Sequence, residues 1–234
     1  MAERLWLDVL FEEKDEAKAA GARYDPATKC WYAPRAGIPE LERWALRPPI
    51  PTLLPGEDRS FGTGLFVDLV PSSCWFTNVR SCVDKRDWNR LRTMIYSRAG
   101  NLCEACGASR DNQTSRYLEA HERWDYDDAT ATQTLRRLIC LCTACHSATH
   151  YGLARIRGKS SEASAHLRAV TGLSTPSINR HIDGAFATWK RRSGHAWTLD
   201  LSMLTDAGIR LAPPPDAADR GKIAHAQLRT DPTG

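Results

Sequence analysis

The residues best able to do chemistry in this chain of 234 residues lie between positions 103 and 150. The stretch opens with Cys103-x-x-Cys106 and Gly107, and closes with Cys142-x-x-Cys145-His146-x-x-x-His150; 35 residues separate the two cysteine pairs. Each Cys-x-x-Cys pair can turn its backbone so that both thiolates face one ion, and four thiolates complete a closed tetrahedral zinc site. A closed site leaves no open coordination position. The zinc expected at Cys103, Cys106, Cys142 and Cys145 is therefore structural, fastening a segment with little core of its own. Disulfides and a redox dithiol are the competing accounts, and a reducing compartment disfavours the first. Cys140, two residues before Cys142, is expected as a buried strand residue, and Cys30, Cys74 and Cys82 as small core residues.

Three histidines accompany the thiolates. His121 lies midway between the pairs, in a segment, 117–124, that reads as a strand. His146 follows the last cysteine directly, where a helix should begin. His150 is one helical turn further on, so the two share a face. Imidazoles at that spacing can hold one divalent cation while a third group approaches from the facing strand.

The elements that must position these residues are a strand through His121, a strand through Leu138–Cys142 and a helix from His146. Upstream, 87–99 carries Trp88, Leu91, Met94 and Ile95 at helical spacing, stopped by Gly100. Downstream, 161–193 reads as two helices broken around Gly172 and Pro176. At the start, 4–33 reads as strand, helix and second short strand, with Arg23 to Pro26 opening a turn. Pro48, Pro49, Pro51 and Pro55 with Gly56 mark a linker. The expected fold class is α+β, divided into a small module (1–45), a proline-rich linker (46–70), a zinc-fastened centre (71–158), a helical basic segment (159–211) and a tail (212–234).

The string from Glu13 to Pro26, ending in Lys29-Cys30-Trp31-Tyr32, resembles a small accessory module attached to topoisomerase-, primase- and relaxase-type proteins. That resemblance implies a nucleic-acid setting. The same residues also read as a plain packing module held by Trp6, Trp31 and Tyr24.

Cys103-x-x-Cys106, the central His121, the run Leu138 to Cys142 and Cys142-x-x-Cys145-His146 resemble the zinc-fastened type of the HNH endonuclease family. The resemblance covers roughly residues 75–155. It implies a ββα-metal fold of two strands and a helix around one catalytic divalent ion (Mg2+, Mn2+ or another divalent cation), and hydrolysis of phosphodiester bonds in DNA, sometimes RNA. It also implies that His121 is the general base and His146 a metal ligand. Two positions depart from the family pattern. Ala120 stands where a second ligand often precedes the central histidine, and Arg137 stands where the asparagine is usual. His150 could supply the missing ligand, or His121 could bind metal with Glu122 as base. Glu119, Asp125 and Asp127 are further candidate outer-shell groups.

Charge adds a modest hint. The net +4 is concentrated after residue 150, where 12 basic side chains face 7 acidic ones. The tract Trp189-Lys190-Arg191-Arg192 to Trp197 interleaves cations with aromatics. With Arg123 and Arg137 it supplies the candidate contacts to double-stranded DNA. No apolar run reaches the ~18 residues of a membrane span, and the first residues lack the pattern of a secretory signal. The expected setting is the cytoplasm, in restriction, phage defence or a mobile element, with a homo-oligomer left open. The reading from another class is a zinc-fastened DNA-binding protein that does not cleave, which Ala120 and Arg137 favour.

Overall fold

The computed structural model describes residues 4–75 and 78–212. Two compact units divide the chain between Pro49 and Ile50. No helix among the described residues is long and apolar enough to cross a membrane. The tail expected at 212–234 lies outside the described residues from 213 onward, as do residues 76 and 77.

The first unit contains β1 (Leu5–Leu7), α1 (Lys14–Ala19), β2 (Arg23–Asp25) and β3 (Cys30–Ala33), in an antiparallel sheet of order β1-β3-β2. Arg23 to Asp25 is thus a strand rather than the opening of a turn. Asp25 Oδ1 accepts the Ala27 N–H at 2.9 Å, which moves the reversal one step along the chain. Gly21, at φ 100°, ends α1 in a conformation that a side chain would oppose. Leu7, Ala17, Ala22, Ala33, Leu41 and Trp44 form the core. Trp44, which the pattern of residues 4–33 leaves out, is the central aromatic, and its Nε1 donates to Glu13 at 3.0 Å.

The second unit is built on a long hairpin, β4 (Leu118–Asp127) and β5 (Thr132–Cys142). Both faces of the hairpin are covered. One carries Trp124, Leu135, Leu138 and Cys140 against Leu91 and Ile95 of helix α3 (Lys85–Arg98), which follows a short helix α2 (Val79–Cys82). The other carries Ile139 and Leu141 against α4 (Thr143–Thr149), α5 (Tyr151–Ile156), α6 (Ser160–Thr171) and α7 (Thr175–Arg192). Strand β6 (Thr198–Asp200) pairs parallel with the start of β5, and helix α8 (Ser202–Thr205) returns Leu204 to the first face. A register shift beside Arg123 leaves Arg136 as the extra residue, so both halves of each strand bury their apolar side chains. The architecture is mixed α and β with small sheets, and the chain order β4–β5–α4 has no loop between strand and helix.

Two expected boundaries move. From Ile50 onward the proline-rich stretch belongs to the second unit rather than to a linker. Prolines forbid regular elements there but not burial, and Leu54, Leu65 and Val67 enter its two cores. Inside it, Glu57 is braced by Arg98 through two hydrogen bonds, 2.6 and 2.7 Å, and accepts the Leu138 N–H at 3.0 Å. Residues 159–211 are likewise no separate segment, because Leu167, Ile178 and Ile182 share one core with Ile139 and Leu141.

Candidate metal centres

Cys103 and Cys106 lie on a loop, Cys142 at the end of β5, and Cys145 in the first turn of α4. Gly107, at φ 74°, lets the loop fold back so that its N–H reaches the Cys103 carbonyl at 2.8 Å. Glu104 docks this loop on β5. Its N–H donates to the Cys140 carbonyl at 2.8 Å, and its carboxylate accepts the Cys140 N–H at 2.7 Å. The four sulfurs come within 4.8 Å of one another. Cys106 and Cys142 stand 3.7 Å apart, close to the edge of about 3.8 Å of a tetrahedron with ~2.3 Å zinc–sulfur bonds. Without a cation the group cannot ionise together: hydrogen bonding to the Cys103 thiolate pushes Cys142 up to about 11 and Cys145 higher still. A dication removes that conflict, so the group fits a structural metal such as zinc. His166 Nε2 lies 3.1 Å from Cys145 Sγ, a proximity that no cysteine spacing announces.

The three histidines converge as a second group. His121 is on β4, His146 in α4, and His150 at the junction of α4 and α5, where its N–H still closes the helical turn on the His146 carbonyl at 3.0 Å. One ring nitrogen from each falls within 4.8 Å of the others, and the ring centroids lie 4.6 to 5.3 Å apart. His121 is buried, and neither of its ring nitrogens has a hydrogen-bond partner. Burial first, then the neighbouring His150, His146 and Arg123, hold it well below the ordinary histidine range. Burial and His146 bring His150 down to about 3. Both rings are therefore neutral at neutral pH, as metal ligands or proton acceptors must be. Glu119 accepts from His146 Nδ1 at 3.0 Å, which fixes that ring and leaves Nε2 free. Burial pushes Glu119 up, but the hydrogen bond and charge of His146 outweigh it and keep the carboxyl below its usual range. The buried, unpartnered imidazole of His121, the neutral ring of His150 and the oriented ring of His146 form a group that could hold a divalent cation.

Several expected site residues lie elsewhere. Strand alternation puts Glu122 on the face of β4 opposite His121, where Oε1 accepts the Val79 N–H at 3.1 Å. It caps α2 and is not placed to act as a base beside the imidazoles. Asp125 and Asp127 are exposed beyond the register shift. Arg123 and Arg137 are not surface contacts for DNA. Arg123 is fully buried, its guanidinium 4.1 Å from the Phe66 ring centre and 3.6 Å from Asp68. Arg137 is buried, donating to Glu104 at 3.0 Å and to the Phe61 carbonyl at 3.2 Å. In the C-terminal tract Lys190 is exposed, Arg191 pairs with Asp128, and Arg192 lies over the Tyr126 ring at 4.3 Å. Trp197 packs on Tyr126 and donates to the Arg192 carbonyl at 2.8 Å, so it is not displayed for stacking.

Comparison with known proteins reaches the first unit. Residues 4–45 match a family described as a domain of unknown function (DUF5710). The same region is 52% identical over 42 residues to a DNA primase TraC of Escherichia coli, and 49% identical over 43 residues to another protein of that name and organism. These matches cover 18% of this chain but only 3% and 4% of the primases. The primase-type resemblance of the N-terminal module therefore stands. No solved structure matches the chain.

Proposed function

We propose that the second unit is a metal-dependent endonuclease of the HNH type, hydrolysing phosphodiester bonds in double-stranded DNA. The observation that carries this reading is the convergence of three imidazoles on a strand–strand–helix unit, with both ring nitrogens of His121 buried and unpartnered. In this reading the thiolates of Cys103, Cys106, Cys142 and Cys145 hold zinc and set the junction of β5 with α4. His146, oriented by Glu119, and His150 hold the catalytic cation. When bound, a Mg2+ or Mn2+ ion there supplies Lewis-acid neutralisation of charge on the phosphodiester.

The remaining work falls to the protein. His121, neutral at pH 7, takes a proton from water as the water oxygen bonds to phosphorus and the bond to the leaving oxygen breaks. The substrate's negative charge raises the proton affinity of His121 at the step that needs it. Ala120 lies on the face of β4 away from His121, among the apolar side chains near α3, so the ligand set here uses His150 instead.

Purified protein with Mg2+ or Mn2+ should nick supercoiled plasmid. His121→Ala should lower the rate by about 10^2–10^4-fold with zinc content and fold retained. Absence of nicking with either ion, or undiminished nicking by the variant, would overturn the reading. A non-cleaving DNA-binding protein is favoured by one observation: Arg137, at the asparagine position of the family, is engaged inside the protein with Glu104. Under that reading metal binds and plasmid shifts, but no nick forms.

A further inference from the structure

The sheet of the first unit has one face on its core and one away from it. Leu7 and Ala33 are buried in that core, with Trp31 packed against it. On the other face, Trp6, Tyr32 and Arg23 sit side by side on three adjacent strands, since Tyr32 is the register partner of both Trp6 and Arg23. The Trp6 and Tyr32 rings meet edge to face at 5.9 Å, and the Arg4 guanidinium lies 4.7 Å from the centre of the Tyr32 ring. Trp6 is 37% exposed, an unusual place for the largest apolar side chain in a unit that buries Trp44. Arg23 is exposed, and the Arg4 side chain is 55% exposed although it pairs with Asp25 at 3.1 Å.

We propose that this face binds single-stranded nucleic acid, with bases stacking on Trp6 and Tyr32 and with Arg4 and Arg23 contacting the phosphates. An open sheet face offers ring planes spaced along adjacent strands. Unpaired bases can lie on such planes, whereas bases inside a duplex already stack on each other. Charge and shape together set the occupant: Arg4 lies over the Tyr32 ring and Arg23 is an exposed position on the same face, which suits a chain that carries both negative charge and flat apolar surfaces. The inference is independent of the nuclease reading, because it uses no residue of the second unit.

The test uses the full chain carrying His121→Ala, so that cleavage does not intervene, with a fluorescent oligothymidylate and no added divalent ion. Anisotropy should show binding, tighter than to a duplex of equal length. Trp6→Ala with Tyr32→Ala should weaken it by about 10-fold or more. Arg4→Glu with Arg23→Glu, both at exposed positions, should weaken it too and lower the salt dependence by about one counterion per arginine replaced. The charge variants decide the matter if the aromatic pair fails to fold. An RNA oligomer of the same length distinguishes the source: equal binding supports stacking on any single strand, and a preference for RNA supports the same face with the ribose hydroxyl read in addition. Unchanged affinity in well-folded variants, no binding of either oligomer, or equal dependence of duplex binding on Trp6 and Tyr32 would overturn the proposal.

Discussion

A buried imidazole with two unpartnered nitrogens costs stability, because both polar atoms have left water without replacement. His121 is in that position. In protein with zinc retained and no other divalent ion added, His121→Phe is expected to raise stability by about 1–3 kcal/mol in urea unfolding, while abolishing plasmid nicking. A loss of stability under those conditions would mean that His121 has a structural partner. Glu119 acts through His146, so Glu119→Gln should weaken Mn2+ binding about 10- to 100-fold by calorimetric titration, with zinc content unchanged. The cysteine spacing and the pairing of His146 with His150 are readable in the sequence, since helix geometry fixes which residues share a face. The inward turn of Arg123 and Arg137 is not. Charge predicts exposure by default, and their partners Asp68 and Glu104 are dozens of residues away in sequence. Arg123→Ala should accordingly behave as a folding defect of about 3–5 kcal/mol, not as a DNA-contact variant of normal stability.

Among the elements, β5 is the member on which the second unit depends. It ends in Cys142, runs straight into α4, and is gripped mid-strand by Glu57, itself held by Arg98 with side-chain exposures of 0% and 3%. Burial pushes Glu57 up, but the Arg98 hydrogen bonds and charge, with the Leu138 N–H, outweigh it and leave its pKa below the ordinary 4.5. A carboxylate lowered by folding stabilises the protein above its unfolded pKa, and that contribution is lost as pH falls through the folded value. Thermal midpoints should therefore fall as pH drops below about 4.5. Glu57→Gln should flatten that dependence and destabilise at pH 7 by about 3–5 kcal/mol. The two strands and the helices after them are legible because apolar alternation and helical periodicity are local signals. The role of residues 50–70 is not. Proline density reports the absence of helix and strand, and only tertiary packing shows that Leu54, Leu65 and Val67 are buried.

Taken whole, the chain joins a small module similar to part of DNA primases to a larger unit whose described residues include two clusters of side chains that could hold a metal ion. The boundary between Pro49 and Ile50 implies two melting events. Zinc removal should lower the midpoint of the larger one and leave the smaller one in place, as read by calorimetry before and after chelation. The nuclease reading stands on four thiolates fastening the scaffold while His146 and His150 recruit a different cation beside the base His121. Anomalous scattering from crystals soaked in Mn2+ separates the two ions. A zinc-edge peak is expected among Cys103, Cys106, Cys142 and Cys145, and a separate manganese peak at His146 and His150, beside His121. No peak at the imidazoles, or an empty thiolate cluster in a folded protein, would show that division of labour to be wrong.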